Sequence, residues 1–106
     1  MRPLRHPALD DITLADIFHA LGDPVRLEIA RTLYRAKRPL TCLDAVAKID
    51  DLPVSTRSRC FSVLRQAGVI RSQKQGRECF NTLRLDELNK KFPDLIQTIF
   101  AQKEPR

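Results

Sequence analysis

Three observations in the sequence predict a mainly α fold that carries a β-hairpin. Apolar residues recur at helical spacing in four successive segments, the last of them VSTRSRCFSVLRQAGVI at residues 54–70. Two strand-like runs, VIRSQ and RECFNTLRL, flank the glycine-containing turn KQG. A final helical stripe follows in ELNKKFPDLIQTIFAQ. The expected order is therefore α-α-α-α-β-β-α. At 106 residues, with 42% hydrophobic and 30% charged residues, the chain fits one globular domain and not the disordered class. Residues 1–8, with two prolines and two arginines, read as a weakly ordered arm, residues 9–102 as the domain and residues 103–106 as a tail.

Each element has its own signals. In DDITLADIFHALG, Ile12, Ala15, Phe18 and Leu21, flanked by Leu14 and Ile17, form a broad stripe ended by Gly22. That stripe is apolar enough to cover more than its own domain. Asp23 is placed to cap the second helix and Pro24 suits its first position. Val25, Leu27, Ile29, Ala30, Leu33 and Tyr34 give it a core side. KRPL reads as a loop. Thr41 is expected to cap a third helix, with Asp44 three residues on and Leu43, Val46, Ala47 and Ile49 inward. DDLPV is a turn. In the fourth helix Ser55 is the expected N-cap and Gly68 the C-terminal stop. Asp86 is expected to cap the last helix, whose stripe is Leu88, Phe92, Leu95, Ile96, Ile99 and Phe100, and Pro93 to kink or split it.

A short helix, a turn, a second helix and then a β-hairpin is the winged helix-turn-helix pattern. On a wheel of the fourth helix, Cys60, Phe61, Leu64 and Ala67 face the core. Ser55, Arg59, Ser62 and Gln66 lie opposite, with Ser58 and Arg65 flanking. Short hydroxyls allow close approach to a surface, and arginine can fork onto guanine or pair with phosphate. The hairpin adds Arg71, Lys74, Arg77 and Arg84 against the single acid Glu78. With a formal net charge of +6, these two basic elements favour double-stranded DNA over a merely solvated face. Groove contacts are expected from Ser55, Thr56, Ser58, Arg59 and Ser62, with Arg57 packing its stem and extending its head. Backbone contacts are expected from Arg71, Lys74 and Arg77.

ALGDPVRLEIARTL resembles the second-helix signature of the ArsR family of winged-helix repressors. STRSRCFSVLRQAGVIRSQKQGRECFNTL is similar to that family's recognition helix and wing. The resemblance covers residues 9–100. It implies a homodimer joined by the first and last helices, a palindromic operator, and repression relieved by an inducer. Arg59 and Cys60 stand where the family commonly has two histidines, and Arg57 where it often has Leu or Val, so the family's sequence preference does not carry over.

The sensing chemistry is read by exclusion. In metal-binding relatives of one type, a Cys-x-Cys pair opens the third helix. Here those positions hold Thr41 and Leu43, with Cys42 between them, and one thiolate cannot chelate. The last helix has no histidine. His6 falls in the arm and His19 in the first helix. No metal site and no cofactor are therefore expected. Cys42, Cys60 and Cys79 are instead candidate redox-sensing thiols, with Arg59 and Arg77 close enough in sequence to lower a thiol pKa. Cys42 and Cys60 also fit small buried hydrophobes. There is no catalytic constellation, so an enzyme is not expected. A winged-helix protein-interaction module is the competing class, but it should expose apolar anchors where this face has Ser and Arg. No run approaches membrane-spanning length and no secretory signal is visible, so a cytoplasmic location is expected.

Overall fold

The computed structural model describes residues 4–103. Residues 1–3 and 104–106, which hold part of the expected arm and tail, lie outside the described residues. A 3-10 turn (Leu9–Asp11) leads to α1 (Leu14–Leu21), α2 (Pro24–Ala36), β1 (Leu40–Thr41), α3 (Cys42–Ala45), α4 (Val54–Gln66), β2 (Ile70–Gln75), β3 (Glu78–Leu83), α5 (Leu85–Lys91) and α6 (Leu95–Ala101). The winged helix-turn-helix order holds, with an added strand and a divided last helix.

Thr13 starts α1, its Oγ1 accepting the Asp16 N–H at 3.1 Å. Because Ile12 and Thr13 are extended, Ile12 is not in phase with the helix that follows. The buried set is Ile12, Ile17, Ala20 and Leu21, while Leu14, Ala15 and Phe18 of the expected stripe are exposed. Asp23 caps α2 as expected, its carboxylate accepting from Val25 N and Arg26 N at 3.0 Å each. Arg26 reaches back to the carbonyls of Ala20 at 2.8 Å and His19 at 3.1 Å, closing the end of α1. Tyr34 of α2 stacks near Phe100 of α6, ring centroids 5.2 Å apart.

Thr41 caps α3 by accepting the Asp44 N–H at 3.1 Å. That helix stops at Ala45, so the periodicity expected to carry through Ile49 fails: Leu43 and Ala47 are exposed, not inward. A turn containing Asp51 in the left-handed region (φ 55°) leads to α4. This helix begins one residue before the expected cap. Pro53 is the N-cap, its carbonyl accepting from Arg57 N at 2.9 Å, and no side chain caps the end. Ser55 lies inside the first turn.

The C-terminus of α4 is a Schellman turn. Gly68 N–H donates to the Arg65 carbonyl and Val69 N–H to that of Leu64, both at 3.0 Å. Gly68 has φ +84°, and a Cβ there would lie 2.4 Å from Ile12 Cδ1.

The sheet order is β1-β3-β2, all antiparallel. β1, expected to be loop, pairs Leu40 with Asn81 and Thr41 with Phe80. Two residues are too few for an alternation signal, and the pairing is made by partners far along the chain. β2 and β3 pair from Ile70↔Leu83 to Gln75↔Glu78. The turn is therefore Gly76-Arg77, one step beyond the expected KQG. Ser72 and Asn81 are buried on the inward face, where Ser72 Oγ and Asn81 Oδ1 are 2.7 Å apart. Asn81 Nδ2 donates to the Leu40 carbonyl at 3.2 Å, tying β1 in place.

Residues 4–8 are not the loose arm expected of them. The Ser72 N–H on the outer edge of β2 donates to His6 Nε2 at 2.9 Å, and Arg84 Nη1 donates to the Pro7 carbonyl at 2.8 Å. The accepting nitrogen requires a neutral imidazole, and burial first, then Arg71, Arg65 and Arg84, hold the His6 pKa below its usual value. Lys91 Nζ adds bonds to the carbonyls of Leu9, Asp10 and Ile12. These contacts join positions about 65 to 80 residues apart, which no local pattern announces.

α5 starts at Leu85, not at Asp86, which sits inside its first turn. Pro93 and Asp94 (φ 61°) separate it from α6, as the proline predicts. Arg84, only 4% exposed, is held by Glu87 through Nε at 3.1 Å and Nη2 at 2.8 Å. Glu87 Oε1 also accepts from Arg71 at 2.7 Å. The bonds from Arg84 and then Arg71 lower the Glu87 pKa from 4.5 to about 2.

Two predictions follow from this frame. Gly68→Ala is expected to cost about 2–4 kcal/mol, combining a left-handed residue with overpacking. Gly76→Ala, with open space around its Cβ, should cost only the backbone term of about 1–2 kcal/mol. Urea unfolding of both proteins checks the contrast. Because the folded pKa of Glu87 is depressed, its stabilisation is present above the unfolded value and is lost as pH falls from about 4.5 towards about 2. The stability difference between wild type and Glu87→Gln should shrink across that window and stay flat above it.

Candidate nucleic-acid interface

α4 is anchored by Cys60, Phe61 and Leu64, all buried, so the opposite side must face outward. Ser55, Thr56, Ser58 and Arg59 are exposed. Arg57 and Ser62 are half-buried, and Gln66 Nε2 donates to Ser62 Oγ at 3.1 Å. No acidic residue occurs between Val54 and Gln66, and the first-turn N–H groups have no side-chain cap. The face thus combines hydroxyls, arginine and unpaired amide donors.

Sequence reasoning missed Val54. It is 64% exposed and opens α4, but placing the cap at Ser55 left it outside the helix. The signal was Pro53, which cannot donate a backbone hydrogen bond and so marks the helix start.

In the wing, Lys74 and Arg77 are exposed, the first near the end of β2 and the second in the turn. Arg71 is exposed at the foot of the same strand but ion-paired with Glu87 at 2.7 Å. Arg84, counted with the basic hairpin from its sequence position, is withdrawn from that surface by its buried pairing with Glu87. The nine expected contact residues therefore fall into three groups. Five sit outward on one side of α4, counting half-buried Ser62. Lys74 and Arg77 project from the wing. Arg57 is half-buried, and Arg71 is ion-paired with Glu87.

The three cysteines carry free thiols. Cys60 is buried, and desolvation followed by the charge of Asp23 pushes its pKa up, against the smaller opposing effects of Arg26 and Arg59. For Cys79 the order is burial, then the neighbouring Cys42, again upward, outweighing Arg65 and Lys74. The expectation that nearby arginines lower these thiols is thus reversed, because burial acts more strongly than charges that remain partly solvated. Among the described residues no three His, Cys, Asp or Glu side chains are grouped to hold a metal ion. No helix among them is long and apolar enough to cross a membrane.

The helix-turn-helix domain family matches residues 21–73, from the end of α1 into β2. The HTH-type transcriptional regulator YceK of Bacillus subtilis (strain 168) is 36% identical over 90 residues, covering 85% of this chain and 89% of that protein. An ArsR-like transcriptional regulator from Rhodococcus sp. RHA1 aligns in structure with a TM-score of 0.60 at 27% identity, over 83% of this chain and 80% of that one. Another ArsR family transcriptional regulator aligns at 0.65 with 24% identity, over 85% and 98% of the two chains, a likeness of fold. With its helix-turn-helix, its wing and these relatives together, the chain belongs to the ArsR-type winged helix-turn-helix transcriptional regulators.

Proposed function

We propose that this regulator is a homodimeric repressor that reads a palindromic operator with α4 and grips the flanking phosphates with its wing. The observation that carries the reading is the acid-free outward side of α4, where Ser55, Thr56, Ser58 and Arg59 stand exposed beside an uncapped helix start. Arg59 suits the bidentate acceptor pair of guanine, and the first-turn amides suit phosphate. Lys74 and Arg77 act as phosphate contacts, and Arg57 and Ser62 support the groove face. Arg71 serves the backbone only with the charge that Glu87 leaves it.

Dimerisation is assigned to α1 and α6. Leu14 and Phe18, four residues apart on one side of α1, are 41% and 52% exposed. Exposed apolar side chains paired in this way suit a partner helix. Two copies related by a twofold axis would set their α4 helices about 34 Å apart, one DNA turn. The inducer is assigned to a class other than metal ions, because the start of α3 offers Thr41, Cys42 and Leu43 where a chelate would need two thiolates. The protein is read as a non-enzymatic regulator acting on DNA in the cytoplasm.

Fluorescence anisotropy on the DNA upstream of its own gene and on a random duplex, across a salt series, tests the division of roles. Arg59→Ala should lose about 1–3 kcal/mol on the operator and little on random DNA. Lys74→Ala should weaken both duplexes alike and reduce the salt slope by about 1. Equal losses from both variants on both duplexes would defeat the assignment. Phe18→Glu should convert a dimer to a monomer in sedimentation and lose operator binding while keeping the native circular dichroism. A wild-type protein already monomeric at binding concentrations would refute the dimer.

A further inference from the structure

The β1–β3 pairing brings two cysteines close to one another. β1 and β3 pair Leu40 with Asn81 and Thr41 with Phe80, so Cys42, the first residue of α3, follows the last paired residue of β1, and Cys79 adjoins that residue's partner on β3. The paired positions beside them start from a cross-strand Cα spacing of about 4.5–5.5 Å, and a disulfide bridges Cα atoms about 4.4–6.8 Å apart. Side-chain contacts agree with this placement. Asn81, on the same face of β3 as Cys79, donates from Nδ2 to Cys42 Sγ at 3.4 Å. Both residues are half-buried. The neighbouring Cys42 is also among the groups that push the Cys79 pKa up, after burial. Cys60 is buried in the core side of α4, and none of the groups that shift its pKa is a cysteine.

We propose that Cys42 and Cys79 close a reversible intramolecular disulfide that clamps the start of α3 to the wing strand and alters the DNA-binding surface. The oxidant is a low-molecular-weight disulfide such as oxidised glutathione. One cysteine, as thiolate, attacks a sulfur of that disulfide and expels one thiolate, which takes up a proton. The second cysteine gives up its proton and attacks the resulting mixed disulfide, expelling the second small thiol. Two protein thiols and one small disulfide become one protein disulfide and two small thiols. The sulfurs lie where the bond reaches both parts of the proposed interface. Cys79 is opposite Lys74 in the β2–β3 register, and Cys42 is the first residue of the helix that leads into the turn before α4.

The regulatory half rests on the DNA-binding reading, whereas the bond itself does not. The test uses full-length Cys60→Ser protein incubated with a series of reduced and oxidised glutathione ratios. Expected is the loss of both free thiols together with two hydrogens in mass, and a non-reduced digest containing one peptide that joins Cys42 to Cys79. Dithiothreitol should reverse it. Adding Cys79→Ser should leave Cys42 trapped as a glutathione mixed disulfide. Thiols that stay open to alkylation, a stable mixed disulfide in the two-cysteine protein, or cross-linking only between chains would overturn the proposal. Oxidised and reduced forms should differ at least fivefold in operator affinity; equal affinity with the bond formed would overturn the switch. If neither form binds DNA, the DNA reading fails, and the joined peptide still decides the bond.

Discussion

Gly68 turns the end of α4 directly into β2, and the space its missing side chain leaves is filled by Ile12. Three parts of the molecule meet in that contact: α4, the first strand of the wing, and the segment ahead of α1. The Schellman bonds satisfy the last carbonyls of α4 within two residues. Val69 and Ile70 then enter the core at once, fully buried. The wing therefore leaves α4 at a fixed angle, with no flexible linker between the helix proposed to read bases and the strand proposed to hold phosphates. A side chain at this position would have to displace Ile12 or move the wing, and either change would alter the relation between the two surfaces.

The far side of the wing is held by charge. Arg84 is buried, and a buried guanidinium is tolerable only when its donors are met. Glu87 takes two of them and the Pro7 carbonyl a third. Glu87 then shares an oxygen with Arg71 on β2. A node of this kind contributes through what its loss would leave unpaired more than through the attraction itself. It links α5, β2 and the segment before α1 to one another. The same node divides the basic residues of the hairpin region. Arg84 serves the fold, Arg71 is shared, and Lys74 and Arg77 remain for a partner.

Helix existence, the caps at Asp23 and Thr41, the core side of α4 and the break at Pro93 were legible because each is set by neighbours within one or two turns. The register of the hairpin was nearly so, misjudged by one step at Gly76. What was not legible depends on tertiary contacts. β1 forms because Asn81 and Phe80 are there to receive it. The His6 and Pro7 contacts depend on the edge of β2 and on Arg84. The phase of α1 was misread because Ile12 belongs to the core but not to the helix. In the candidate interface the exposed face of α4 was readable from its wheel. The roles of Arg71 and Arg84 were not, since spacing cannot tell a free guanidinium from one that Glu87 has taken. The nearness of Cys42 to Cys79 depends on the β1–β3 pairing and so was hidden as long as β1 was read as loop.

In the proposed complex one surface, made of the outward side of α4 and the wing tip, meets DNA. Titration of 15N-labelled protein with an operator duplex, followed by backbone amide chemical shifts, addresses it residue by residue. The account predicts large shifts for residues 54–59 and 73–78, with the amides of Arg84 and Glu87 nearly unmoved because the node beneath the wing stays intact. Shifts centred elsewhere, on α2 or α5 for example, with the α4 amides unchanged, would contradict it.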